Sequence, residues 1–219
     1  TAASLAAYGK MLGASSVISG VVPQISVIAG TCAGTAAMLA CSSDFVIMTK
    51  ESEFFMAPNS SSGSAEAAAK SGIASAVCDD DKAAIEKARD LVNILPVNNL
   101  APVPMFEFAE NSPVSGTDLK SIINSAADAD SEIEISAEFG NASYTGFVTI
   151  GGATAGIAAA GKEGSKLNSD DCAKLARFMR TCDAFSIPVV TFVNSEGFED
   201  ADAVSSIKAM TTLANSYSE

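Results

Sequence analysis

The sequence predicts a mixed α/β fold, and three observations carry that reading. Short β-branched apolar runs such as QISVIAG (24–30) and DFVIMTK (44–50) alternate with stretches of helical spacing along the whole chain. The segment from Pro96 to Pro113 holds four of the seven prolines and divides the chain near its middle. Hydrophobic residues make up 48% of the chain but aromatics only 6%, with no tryptophan, so its elements can pack closely through small side chains.

Each element has its own signal. Leu5, Tyr8, Met11 and Leu12 recur at helical spacing, so residues 2–19 are expected as an amphipathic helix, ended by Gly20 and barred from continuing by Pro23. Residues 24–30 follow as a buried strand, and CAGTAAMLACSS (32–43) as a helix whose small faces allow close approach. Residues 44–50 and 52–57 read as strands. The stretch 59–72 begins Ser/Gly-rich and ends Ala-rich, which predicts a loop and then a short helix. IASAVCD (73–79) is a strand, and 80–95 a helix with Asp80 and Asp81 at its N-terminal dipole and Ile85, Ala88, Leu91 and Val92 on one face. Beyond the prolines, 117–135 reads as a polar helix. Residues 144–162 form two strands around Gly151-Gly152, a hairpin signal. Ser169 is expected to cap a helix over 169–185, with Asp170 and Asp171 in its first turn and Leu175, Phe178, Met179 and Cys182 as its apolar stripe. A buried strand then runs into a turn over 187–198, and 200–216 close with a helix.

Composition narrows the function. Thirteen basic against 26 acidic residues give a net charge of −13, which disfavours nucleic-acid binding because that affinity rests on Lys and Arg at phosphates. The five cysteines (Cys32, Cys41, Cys78, Cys172, Cys182) form no C-x-x-C pair and the chain has no histidine, so the common zinc spacings are excluded. They read as reduced thiols of a cytoplasmic protein. No apolar stretch is long enough for membrane insertion, and no signal peptide opens the chain. The opening TAASLAAYGKML starts inside a helical pattern without an initiator Met, so a piece of a longer chain is expected.

Without histidine, a Ser-His-Asp or Cys-His arrangement cannot form within the chain. Asp44 and Glu196 near strand ends are single carboxylates, and neither a P-loop nor a dinucleotide fingerprint occurs. Two turns remain, each after a buried strand: Thr31-Cys32-Ala33-Gly34-Thr35-Ala36 and Asn194-Ser195-Glu196-Gly197-Phe198. Free N–H groups at the start of a helix favour negative charge and can stabilise an enolate or oxyanion with no side chain taking part. The same small residues also suit tight helix–strand packing, which composition alone favours.

These turns and their surroundings resemble one family. GVVPQISVIAGTCAGTAAMLACSSDFVIMTK is similar to the strand, C-A-G-G turn, helix and D-F strand of the carboxyltransferase subunits of biotin-dependent acyl-CoA carboxylases and decarboxylases. SGIASAV with LVNILPVNNLAPVP, TGFVTIGGATAGIAAAG, and DDCAKLARFMRTCDAFSIPVVTFVNSEGF resemble its later segments. The resemblance implies an α/β fold of crotonase-like ββα spirals in two tandem domains. Residues 1–100 would be the C-terminal half of the N-terminal, acyl-CoA domain, 101–116 a linker, and 117–219 the N-terminal half of the C-terminal, biotin domain. It implies catalysis by backbone N–H pairs, with Gly34 and Thr35 at a thioester enolate and Gly197 and Phe198 at the urea oxygen of carboxybiotin. Cys32, Ala33 and Glu196 would flank the ligands. Biotin would arrive on a biotin carboxyl carrier protein or domain, a CoA thioester would be the substrate, no metal would be needed, and the protein would form homo- or hetero-oligomers. The chain departs from the family at Thr35, where a second glycine is usual, at Ser75 in place of histidine, and at Glu196 in place of proline. A Gly-Gly-Ala-Arg loop before residue 1 and an A-Y-G-G-A turn after residue 219 would complete the two oxyanion holes. Two other readings stand beside this one. The first is a biotin-independent hydratase or isomerase with Glu51 or Glu53 as base, and the second a non-catalytic or incomplete subunit that only assembles with a partner.

Overall fold

The computed structural model describes residues 2–57, 63–111, 116, 118–199 and 204–218. Residues 59–62 of the expected loop and 200–203 of the expected last helix lie outside them. The chain divides into two compact units, Thr1–Ala101 and Pro102–Glu219.

The first unit repeats one pattern. Helix α1 (Ala2–Ile18) leads into β1 (Ile25–Ile28), β2 (Thr31–Ala33) and α2 (Thr35–Cys41). The same strand, short strand, helix order returns in β3 (Phe45–Thr49), β4 (Glu53–Phe55) and α3 (Ala65–Lys70), and β5 (Ala76–Cys78) then precedes α4 (Asp81–Ile94). Strands β1, β3 and β5 make a parallel sheet in that order, with Ile25 opposite Phe45 and Ile47 opposite Ala76. The short strands β2 and β4 pair separately, Thr31 opposite Glu53. All five residues of β3 are buried, as expected of a parallel strand covered on both faces. Its core joins Ile28, Val46 and Met48 to Ala65, Ala68, Ala69 and Ala74, with the partly buried Phe54 packed against it, so small side chains make up most of the layer.

Two helices of this unit differ from their sequence patterns. Helix α1 buries no residue, and Leu5 and Met11 are 66% and 51% exposed. Apolar and small side chains run round its whole circumference, with Lys10 its one charge, so there is no amphipathic stripe. Helix α4 is capped by Asp80, whose Oδ1 accepts the Ala83 N–H at 2.8 Å, but its buried face is Ala84, Leu91 and Ile94. Ile85 and Val92 stand outward, one position round from that stripe.

In the second unit, α5 (Leu119–Ala126) precedes a four-stranded sheet in the order β6 (Ile133–Glu134), β7 (Ser143–Ile150), β8 (Ala153–Gly164), β9 (Val189–Ser195). β7 and β8 are antiparallel across the two-residue loop Gly151-Gly152, whose φ angles of 60° and 81° are those of a primed hairpin turn. β8 and β9 are parallel, connected through α6 (Ser169–Ala184), and α7 (Val204–Ser216) ends the unit. Helix α6 lies on β7 through Phe178 and Phe147, ring centroids 5.1 Å apart. Its cap is Asn168, one residue before the expected Ser169: the Asn168 Oδ1 accepts the Asp171 N–H at 3.0 Å while Asp171 Oδ2 accepts the Asn168 N–H at 2.9 Å. Leu175, Phe178 and Cys182 are buried as expected, and so is Lys174. Its ammonium donates to the Ser143 carbonyl at 3.0 Å, and burial, with Lys162 nearby, pushes it down to about 8.

The expected helix 117–135 stops at Ala126 because the next residues are drawn into the hairpin. The buried Asp128 carboxylate accepts the Gly151 and Gly152 N–H groups at 2.9 and 2.7 Å and the Thr149 hydroxyl at 2.8 Å. The Pro-rich segment is fastened to the same hairpin: Phe106 N–H donates to Gly152 O at 2.8 Å and Thr154 N–H to Pro104 O at 3.3 Å. Burial pushes the Asp128 carboxyl up, but its three hydrogen bonds outweigh burial and leave it below the ordinary carboxylate range. A folded value below the unfolded one stabilises above the unfolded pKa of about 3.9, and that gain disappears as pH falls through the folded value. Replacing Asp128 by Ala is expected to destabilise this unit by about 3 kcal/mol at neutral pH, since three donors lose their acceptor. Urea unfolding at pH 7 and at acidic pH checks this: the gap between wild type and variant should narrow below about pH 4.

Candidate functional site

The first turn sits where β2 gives way to α2. Cys32 and Ala33, expected as the start of a helix, are extended instead and pair with β4, Cys32 opposite Phe54 and Ala33 opposite Phe55. Gly34 makes the break. Its φ of 62° and ψ of −131° belong to no helix and suit glycine, and its carbonyl already accepts the Met38 N–H of α2 at 3.2 Å. The Gly34 N–H is not open to a ligand, because it donates to Phe55 O at 2.9 Å. Thr35, the first helical residue, has no helical acceptor for its own N–H, and neither has Ala36 after it. No side chain caps this end of α2. Cys32 is half-buried, and burial pushes its thiol up, which disfavours the thiolate that a nucleophile needs. Glu53 is exposed and its Oε2 accepts the Thr31 hydroxyl at 3.1 Å.

The second turn continues β9. The Ser195 hydroxyl accepts the Gly197 N–H at 3.1 Å and lies 2.9 Å from both the Ser165 and Gly197 carbonyls. Phe198 forms a parallel bridge with Leu167: Leu167 N–H donates to Gly197 O at 2.9 Å and Glu199 N–H to Leu167 O at 2.8 Å. In such a bridge the intervening residue turns its own N–H the other way, so the Phe198 amide is directed away from Leu167. Glu196 is exposed, with its carboxylate toward Gly164: a Cβ added there would stand 3.9 Å from Oε1.

The structure thus gathers Cys32, Ala33, Gly34 and Thr35 at one turn of the first unit and Glu196, Gly197 and Phe198 at one turn of the second. Three residues that organise these turns escaped sequence reasoning. Phe55 occupies the Gly34 amide from 21 positions away, and nothing local marks it. Leu167 brackets Phe198 across 31 positions. Ser195 did carry a signal, since a serine two residues before a glycine is a side-chain-closed turn in waiting. Among the described residues, no group of three or more Cys, Asp or Glu side chains gathers to hold a metal ion, and no helix is long and apolar enough to cross a membrane.

The carboxyl transferase domain model matches residues 1–204. The chain belongs to the carboxyl transferase domain family. This carboxyl transferase chain is 33% identical over 230 residues to a propionyl-CoA carboxylase beta chain of Roseobacter denitrificans, covering 89% of the chain and 44% of that protein. It is also 33% identical to the methylmalonyl-CoA carboxyltransferase 12S subunit of Propionibacterium freudenreichii subsp. shermanii, covering 89% of the chain and 43% of that subunit. The chain therefore spans about half the length of the curated relatives it matches. A transcarboxylase 12S crystal structure, described as a hexamer assembly with methylmalonyl-coenzyme A and methylmalonic acid bound, superposes with a TM-score of 0.90 at 31% identity, over 99% of this chain and 48% of that one. The fold is the carboxyltransferase, crotonase-like α/β class that the sequence resemblance implies.

Proposed function

We propose that this chain is part of a carboxyltransferase component that moves a carboxyl group between biotin and an acyl-CoA. The observation that carries the reading is its likeness, over nearly its full length, to a transcarboxylase 12S structure holding methylmalonyl-coenzyme A. The two turns support it, because backbone N–H groups of this kind can stabilise developing negative charge without a histidine. In unit 1 the amide of Thr35, with Ala36 behind it, would receive the thioester oxygen of the acyl-CoA, while Gly34 serves as the fixed cap. In unit 2 the Phe198 amide would receive the urea oxygen of biotin, and this turn fits such a group because that N–H lies outside the Leu167 ladder. Biotin, when bound, supplies a ureido nitrogen able to act as base. The chain's own residues orient the reactants and hold the charge.

On this reading residues 1–100 are the C-terminal half of the acyl-CoA domain and 117–219 the N-terminal half of the biotin domain. The partners are a carrier protein or domain bearing biotin and further copies or subunits, in line with the hexameric transcarboxylase 12S neighbour. Free thiols at all five cysteines suit the cytoplasm. The test is isotope exchange: the full-length protein, given carboxyl-labelled methylmalonyl-CoA and free biotin, is expected to pass label between them. A full-length protein that binds CoA esters yet passes no label to biotin would sink the reading.

A further inference from the structure

The second turn has no proline to stiffen it. Glu196 leaves φ free at that position and keeps an N–H that a ring would remove. The Leu167 bridge holds the turn only at Gly197 O and the Glu199 N–H, and a peptide pinned from one side is a poor electrostatic partner because the donor must already be in place when charge develops.

The geometry supplies the closure. The Ser195 hydroxyl accepts the Gly197 N–H at 3.1 Å, which closes a side-chain turn over 195–197. Its single proton is shared between Gly197 O and Ser165 O, each at 2.9 Å. The contact to Ser165 fastens the turn to the far end of β8, where Gly164 stands opposite Ser195 in the parallel register. The two Leu167 rungs hold Gly197 and Glu199 from one side, and the hydroxyl holds Gly197 from within. It also removes the Gly197 amide from competition, so that Phe198 presents the donor.

We propose that Ser195 is the positioning residue of the second turn, its hydroxyl standing in for the missing ring constraint and fixing the direction of the Phe198 amide. The role rests on the carboxyl-transfer reading above and touches no reactant itself. It assigns the biotin side of the reaction, not the acyl-CoA side, to the hydroxyl.

The test compares Ser195→Ala with Ser195→Thr in the full-length protein. S195A is expected to lower kcat for carboxyl exchange with biotin by about 10- to 100-fold, the scale of loss for a group misplaced by about 1 Å, while KM for the acyl-CoA stays within about twofold. S195T keeps the hydroxyl and should return kcat to within about threefold of wild type. Amide hydrogen exchange gives a second readout that needs no activity: the Gly197 amide should exchange at least about 10-fold faster in S195A and not in S195T, with β7 and β8 protection unchanged. Faster exchange at Gly197 with unaltered kcat would overturn the positioning role and leave the carboxyl-transfer reading standing. Equal loss of kcat in S195A and S195T, or unchanged Gly197 exchange in S195A, would overturn it as well. A wild type that moves no label between acyl-CoA and biotin would overturn both.

Discussion

On the carboxyl-transfer reading, replacing Thr35 by proline in the full-length protein should leave α2 folded and lower carboxyl transfer by about 10²- to 10³-fold, the loss measured when one oxyanion donor is removed elsewhere. The substitution is unusually selective for this purpose. Thr35 is the first residue of α2, where proline is favoured because the missing N–H had no helical acceptor and the fixed φ suits a helix. The preceding residue must avoid the α region before proline, and Gly34 with ψ of −131° already does. The Gly34 amide stays on Phe55 O and its carbonyl stays on Met38, so the frame of the turn survives while one donor is deleted. Thr35→Ala is the matched control: it keeps the N–H, removes only the side chain, and should cost less than about threefold. Isotope exchange gives kcat, and circular dichroism with thermal unfolding reports on the fold. A T35P protein that is folded and as active as T35A would show that this amide does not face the reacting oxygen.

What the sequence made legible, and what it hid, follows from the range of the interactions involved. Local signals were reliable: β3 was visible as a continuous apolar run, the hairpin as Gly151-Gly152, and the Asp80 cap as an acidic residue before a periodic stretch. Errors arose where a distant partner overrode the local pattern. Cys32 and Ala33 carry helix-compatible small side chains but are claimed by β4, twenty-two positions further along the chain. The polar run after Ala126 could have continued as helix, yet Asp128 has three donors waiting in the hairpin. Helix α1 shows the opposite failure. Its spacing suggested a buried stripe, whereas its composition is apolar all round and it buries no residue in this unit. The candidate site divides the same way. The glycines announce both turns, but which amides are free depends on Phe55, Leu167 and Ser195, and no motif in one sequence states that Gly34 is a cap whose N–H is already spent.

Gly161→Ala should be the most damaging small substitution in the second unit, at about 4 kcal/mol or more, where exceptional point mutations lie. Two costs add at this position. Gly161 has φ of 86°, a region an L side chain enters at about 1–2 kcal/mol. The second cost is steric. A Cβ at Gly161 would overlap the Asn194 carbonyl oxygen and come within 2.6 Å of Ser195 Cα, so backbone meets backbone and no rotamer change relieves it. Gly161 lies at the irregularity between Ala160 and Gly164, where β8 shifts register against β9, and its N–H donates to Ala142 O at 3.0 Å. It cannot retreat without breaking that bond. Gly151 isolates the first cost, because its φ is 60° and nothing lies within 4 Å of an added Cβ. Gly151→Ala should therefore lose only about 1 kcal/mol in urea unfolding, and the remaining difference of about 3 kcal/mol measures the clash. The clash also has a functional direction. Relief must push Asn194 and Ser195 outward, and Ser195 is the residue that closes the second turn. On the carboxyl-transfer reading, a full-length G161A protein that still folds should thus lose the biotin half of the transfer while binding acyl-CoA normally. If G161A and G151A lose equal stability, β9 yields freely at Asn194, and the second turn is not held by the strand beneath it.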